Sequence, residues 1–178
     1  MIAIINYGCG NINAFINVFK DIGVKAKVAN KYSDLNDISK IILPGVGSFD
    51  FVMQTFNNSG LRKTVEEKVY VNKIPVLGVC AGMQILADSS DEGIENGLGW
   101  IKGSVRKLKK IKITDNISLP HMGWNQVFHN KNILFDSIES GERFYFVHSY
   151  YFENKYDRDK IGITNYSIKF TSSLQKDN

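Results

Sequence analysis

A chain of 178 residues with 43% hydrophobic content fits one domain with a single sizeable core. Its formal charge of +4 comes from scattered lysines, the densest being Lys107, Lys109, Lys110 and Lys112 in an alternating KLKKIKI stretch, which reads as the solvated face of a strand or hairpin and not as a nucleic-acid stripe. Two cysteines, Cys9 and Cys80, suggest neither a disulfide framework nor a metal cluster, and the N-terminus lacks a basic and apolar leader, so the expectation is a reduced, soluble, cytoplasmic protein.

Residues 2–6 form a short apolar run that ends at the turn-forming YGCGN. The next stretch places Ile12, Phe15, Ile16 and Phe19 at helical spacing, and Gly23 closes that helix. KAKVAN reads as a second strand and IILP, residues 41–44, as a third, buried on both faces. A helical region broken near Gly60 follows, then the strand IPVLGVC and a helix starting near Cys80 that includes Met83, Ile85 and Leu86. Apolar strands alternating with helices predict an α/β fold with a mostly parallel central sheet flanked by helices. After Gly99 the texture becomes β-rich, which predicts an antiparallel C-terminal extension attached to the same sheet.

The strongest local signal is LGVCAGMQ, residues 77–84. Gly78 and Gly82 flank Cys80 by two positions on either side, which lets a strand turn sharply into a helix and leaves the side chain exposed. The pattern is that of a nucleophile elbow with cysteine in place of serine, where first-turn amides favour a thiolate. On the residues alone, a buried strand-end cysteine remains the alternative for Cys80. Cys9, in a Gly-Cys-Gly turn, reads as a small residue in a tight loop.

LGVCAGMQ resembles the nucleophile segment of the class I glutamine amidotransferases. INYGCGNINAF, PGVGSF (44–49), GLGWIKGSV (97–105), PHMGWNQV (120–127) and FYFVHSYYF (144–152) extend the likeness along the chain, to the glutaminase subunits of imidazole glycerol phosphate synthase. The resemblance implies that Cys80 attacks the side-chain amide of L-glutamine. It also implies an oxyanion hole formed by the backbone at Ala81 and by the loop at Val46 and Gly47. Gln84 and the His148, Ser149 and Tyr150 segment would hold the substrate, with His148 outside the catalytic triad. His121, Trp124 and Asn125 would lie near the contact with an ammonia-using synthase subunit in a heterodimer, the alternative being a loop tied down by Trp124 packing. His129, in a polar run, is expected to face solvent. No cofactor and no metal is implied, since the histidines lack zinc-ligand spacing and PGVGSF is too short for a phosphate-binding loop.

Ala81 stands where histidine-pathway members carry a larger apolar residue. With SSDEG (89–93) and GLGWI (97–101), it is similar to paralogues that feed ammonia to a sugar amidotransferase of surface-polysaccharide synthesis. The family's catalytic histidine and glutamate lie in a segment of the form GxQFHPE, and no HPE occurs in this sequence. The expectation is one domain over residues 1–178 that lacks its C-terminal His/Glu segment and is inactive or impaired in this form. A catalytically dead scaffold subunit is the non-enzymatic alternative.

Overall fold

The computed structural model describes residues 1–109 and 118–177; Lys110 and Lys112 of the lysine-rich stretch lie outside them. The first half is built as expected. Strands β1 (Ile2–Ile5), β2 (Ala26–Ala29), β3 (Lys40–Gly45) and β4 (Val76–Cys80) form a parallel sheet in the order β2-β1-β3-β4. Helix α1 (Ile12–Asp21) follows β1, and α2 (Phe49–Asn58) and α3 (Arg62–Tyr70) lie between β3 and β4.

Local chemistry sets these boundaries. The Asn11 side chain accepts from the Ala14 amide and caps α1, and Gly23 ends it at φ 70°, with Gly23 N–H and Val24 N–H donating to the Lys20 and Phe19 carbonyls. Gly60, at φ 72°, divides α2 from α3. The β1-to-β2 and β3-to-β4 crossovers run in opposite directions across the sheet, so right-handedness assigns α1 to one face and α2 and α3 to the other. The main core lies on the second face, where Ala3, Ile5, Ile41 and Leu43 meet Phe49, Val52, Met53, Phe56 and Val65. Helix α1 buries none of its residues fully.

The second half corrects two expectations. The helix after Cys80, α4, covers only Ala81–Gln84, so Ile85 and Leu86 lie in the turn beyond it. Its continuation is pre-empted by residues 97–101, since the amides of Leu98, Ile101 and Gly99 donate to the carbonyls of Ile85, Leu86 and Ala87. Gly97 fits that crossing because a Cβ there would sit 2.0 Å from the Ala87 oxygen.

The β-rich extension does not continue the parallel sheet. Strands β5 (Ser89–Ser90), β6 (Gly103–Lys107), β8 (Phe128–His129), β10 (Tyr150–Asn154), β11 (Lys160–Tyr166) and β12 (Ile168–Leu174) form a sheet of their own in the order β5-β6-β10-β12-β11-β8. Strands β7 (His121–Gln126) and β9 (Arg143–His148) pair as a separate antiparallel ribbon. The turn after α4 carries the chain away from β4 toward β6, leaving β4 at the end of the parallel sheet with Leu77 43% exposed. Val105 of β6 and Phe152 of β10 reach back into the core and join the two sheets. Among the described residues, no helix is long and apolar enough to cross a membrane.

Candidate active site

The order of the parallel sheet reverses between β1 and β3, and the crevice beyond the carboxyl ends of strands at such a point is where open α/β sheets bind ligands. Three sequence features meet there: the turn after β1, the PGVG loop after β3 and Cys80 at the end of β4. Cys80 is exposed, with φ 58° and ψ −124°. Those angles suit the first central residue of a II′ turn, a place that favours glycine, so Cys80 is held in a conformation that costs about 1–3 kcal/mol. Replacing Cys80 with glycine is therefore expected to raise stability by about 1–2 kcal/mol, read as a higher midpoint of thermal unfolding. A lower midpoint would mean that the elbow is not strained.

The strain is enforced by packing. Cys80 lies opposite Gly45 in the β3–β4 register. A Cβ on Gly45 would sit 2.2 Å from the Gly82 nitrogen, one on Gly78 2.6 Å from the Gly82 oxygen, and one on Gly82 2.0 Å from the Leu43 oxygen. The start of α4 thus rests directly on the backbones of β3 and β4, and Ala81 is buried there. Beyond Gly45 the loop turns outward, with Val46 59% exposed and Gly47 at φ 124°, a conformation natural to glycine. The Tyr7 hydroxyl donates to the Pro44 carbonyl at the base of this loop. Burial, then a hydrogen bond with Cys9, pushes the Tyr7 phenol well above its ordinary range and keeps it a neutral donor.

One turn after Cys80, the Gln84 side-chain amide donates to the Tyr150 carbonyl at 3.2 Å. The same oxygen accepts from His148 Nδ1 at 2.8 Å. The segment expected to hold substrate is in this way tied to the helix that follows the nucleophile, and the Ser149 carbonyl is fixed by the Leu108 amide at 2.8 Å. Glu92 is a residue that sequence reasoning missed. Its carboxylate accepts from the Phe49 amide at the start of α2 at 2.8 Å. Burial first, and then the Glu92 charge, raises the Tyr150 phenol above its ordinary range. The only sequence signal for Glu92 was SSDEG, which carries no pattern pointing to a partner on α2.

The ribbon divides the remaining trio. Strand alternation turns His121 and Asn125 toward the body, with His121 2% exposed, while Trp124 is 63% exposed on the other side. The PHMGWN segment is therefore a strand and not a loop tied down by Trp124. Met122, Trp124, Tyr145 and Val147 share the outer face, Met122 opposite Val147 and Trp124 opposite Tyr145, each 52–63% exposed. His129 does not simply face solvent: it is half-buried and stacks on Phe135 with ring centroids 4.1 Å apart, because β8 pairs with β11 at this point.

Residues 3–174 match the model of the class-I glutamine amidotransferase family. The chain belongs to that family. This amidotransferase is 45% identical, over 100% of its own length and 88% of the relative's, to the imidazole glycerol phosphate synthase subunit HisH of Leptospira interrogans. It is 44% identical, over 100% of its length and 88% of the relative's, to the subunit of the same name from Bdellovibrio bacteriovorus. A solved structure described as a glutamine amidotransferase superposes with a TM-score of 0.68 at 15% identity, over 93% of this amidotransferase and 85% of that chain. That likeness is one of fold.

Proposed function

We propose that the chain is the glutaminase subunit of an imidazole glycerol phosphate synthase, hydrolysing L-glutamine through a thioester on Cys80 and handing the ammonia to a separate synthase subunit for histidine biosynthesis. The observation that carries this reading is the exposed Cys80 thiol, held at positive φ on a turn packed against β3 with no slack. The kinship with HisH subunits supports the choice of acceptor.

In this reading Cys80 Sγ attacks the amide carbon of glutamine. The negative charge on the former carbonyl oxygen meets the Ala81 N–H and the backbone of the Val46–Gly47 loop, where each donor is worth about 10² to 10³ in rate. The C–N bond breaks as the nitrogen takes up a proton and leaves as ammonia. A water oxygen then adds to the thioester carbon, expels the Cys80 thiolate and yields glutamate. Gln84 and the backbone at His148, Ser149 and Tyr150 hold the amino-acid end.

The thiol proton needs an acceptor, and none of the chain's three histidines is suited to take it. His121 and His148 have both ring nitrogens engaged, and His129 lies on β8, stacked on Phe135 and donating through Nδ1 to the Asn130 carbonyl.

Ammonia released into water is protonated and loses its nucleophilicity, so its transfer calls for a sealed contact. The outer face of the ribbon, with Met122, Trp124, Tyr145 and Val147, is the apolar surface we assign to the synthase subunit. Two unpaired thiols accord with a cytoplasmic setting.

The test is covalent trapping. With 6-diazo-5-oxo-L-norleucine, a glutamine analogue electrophilic at the amide position, one adduct is expected on Cys80, slowed by L-glutamine and not by D-glutamine. Absence of the adduct, or equal reaction with a reagent lacking the amino-acid end, rejects the reading. Ammonia release that rises on adding the synthase subunit and its substrate identifies the acceptor.

A further inference from the structure

Behind the substrate segment lies a chain of hydrogen bonds whose polarity is fixed from both ends. At one end the Tyr150 carbonyl can only accept, so His148 Nδ1, 2.8 Å away, carries a proton. At the other end the Asn125 amide orientation is set, because its Oδ1 accepts from the Gln126 N–H at 2.8 Å and its Nδ2 donates to the Asn165 carbonyl at 2.9 Å. The second Nδ2 hydrogen therefore faces His121 Nε2 at 3.2 Å, and that nitrogen must accept. His121 then carries its proton on Nδ1 and donates it to His148 Nε2 at 2.9 Å, which leaves His148 with its proton on Nδ1, as the Tyr150 end requires. Both ends of the hydrogen-bond chain thus require the same tautomers. Both imidazoles are uncharged, both hold their proton on Nδ1, and an added proton on either ring breaks a bond.

His121 is too buried to touch a ligand. Its ring stacks between Tyr166, at a centroid distance of 3.8 Å, and Phe146, at 4.9 Å. What it can do is hold His148. His148 in turn shares the Tyr150 oxygen with Gln84, one helical turn beyond the nucleophile, so both lone pairs of that oxygen are used and the peptide after Tyr150 is fixed relative to Cys80. The chain begins on β7, the strand whose opposite side exposes Met122 and Trp124.

We propose that His121 is a positioning residue for the glutamine site, acting through His148 to hold the Tyr150 carbonyl and, with it, the backbone that grips the substrate's amino-acid end. The inference rests on the glutaminase reading above. It adds a determinant of glutamine affinity that lies outside contact with glutamine and links the outer ribbon to the pocket.

Two measurements on the full chain test it. The first needs no variant. Nitrogen-15 correlation spectra of the histidine rings should show both His121 and His148 protonated on Nδ1 alone at neutral pH; a proton on His121 Nε2, or a doubly protonated ring, overturns the relay. The second uses His121→Phe, which keeps the stacked ring and deletes both hydrogen bonds, and His121→Gln, which keeps a donor. In His121→Phe the half-saturating concentration of 6-diazo-5-oxo-L-norleucine should rise about tenfold, the scale of one lost hydrogen bond, with a much smaller change in maximal inactivation rate. His121→Gln should recover part of the loss. An unchanged half-saturating concentration in a folded His121→Phe protein overturns the positioning role while leaving the glutaminase reading intact. Failure of the unsubstituted protein to react saturably overturns both, even with the tautomers as assigned.

Discussion

Replacing Gly82 with alanine is expected to destabilise the fold by about 3–5 kcal/mol and to leave Cys80 unreactive toward a glutamine analogue. The added methyl would lie 2.0 Å from the Leu43 oxygen, 2.9 Å from its carbonyl carbon and 3.0 Å from that of Pro44. These are backbone atoms of β3, a central strand paired on both sides, and no rotamer change relieves them. Moving α4 outward is the remaining escape. Gly45 and Gly78 oppose Gly82 across the same contact, so that movement pulls the turn at Cys80 out of register with both strands. Overpacking of a side-chain core usually costs about 1–3 kcal/mol, and a backbone clash belongs above that range. Urea unfolding with an unchanged m-value gives the stability, and analogue labelling gives the site. A Gly82→Ala protein within about 1 kcal/mol of the parent would refute the close contact on which the elbow depends.

As pH falls from 6.5 to 4, the fold is expected to lose about 3 kcal/mol through His121. Burial, and then the neighbouring His148, lowers the His121 imidazole from the ordinary 6.5 to about 4. Between those values the unfolded chain binds a proton that the folded chain refuses, so stability falls with pH across the window and the contribution levels off below it. Among the described residues, the titratable groups against the ring are His148 and Tyr166, and no carboxylate pairs with it. Burial lowers His148 as well and adds in the same direction. Unfolding free energies measured from pH 7 to pH 4 should fall steeply for the parent and less so for His121→Phe, the difference between the two curves being the His121 contribution. Parallel curves would mean that the fold accepts a proton at this ring.

The first half of the fold was legible because its signals are local. Glycine at positions 23 and 60 marks helix ends whatever the rest of the chain does, and Gly78 and Gly82 around Cys80 announce a strand-to-helix turn whose need for bare backbone the structure makes explicit. What was not legible depends on distant partners. Nothing in MQIL says that α4 stops at Gln84, since the carbonyls that would extend it are claimed by amides at positions 98–101. The ribbon was harder still. Along HMGWNQ the apolar alternation would put Met122 and Trp124 inward, and the structure does the reverse, burying His121 against the aromatic rings of Phe146 and Tyr166. Strand β9 is apolar on both faces, so alternation does not choose between them, and the structure turns Phe144 and Phe146 inward and Tyr145 and Val147 outward. His121 sits inside with both of its nitrogens matched, and those matches come from β9, from Asn125 and, at one remove, from the segment beyond β9.

The inverted ribbon gives the chain a division of labour in its light emission. It has two tryptophans, and they sit in opposite settings. Trp100 is buried among core residues and edge-on to Tyr70, whereas Trp124 stands in water on the ribbon's outer face. Ultraviolet fluorescence therefore has a blue component that follows the integrity of the core and a red one that follows whatever comes to rest against β7. A ligand or subunit that covers the ribbon moves only the second, so the natural sequence already carries its own docking gauge beside its folding gauge.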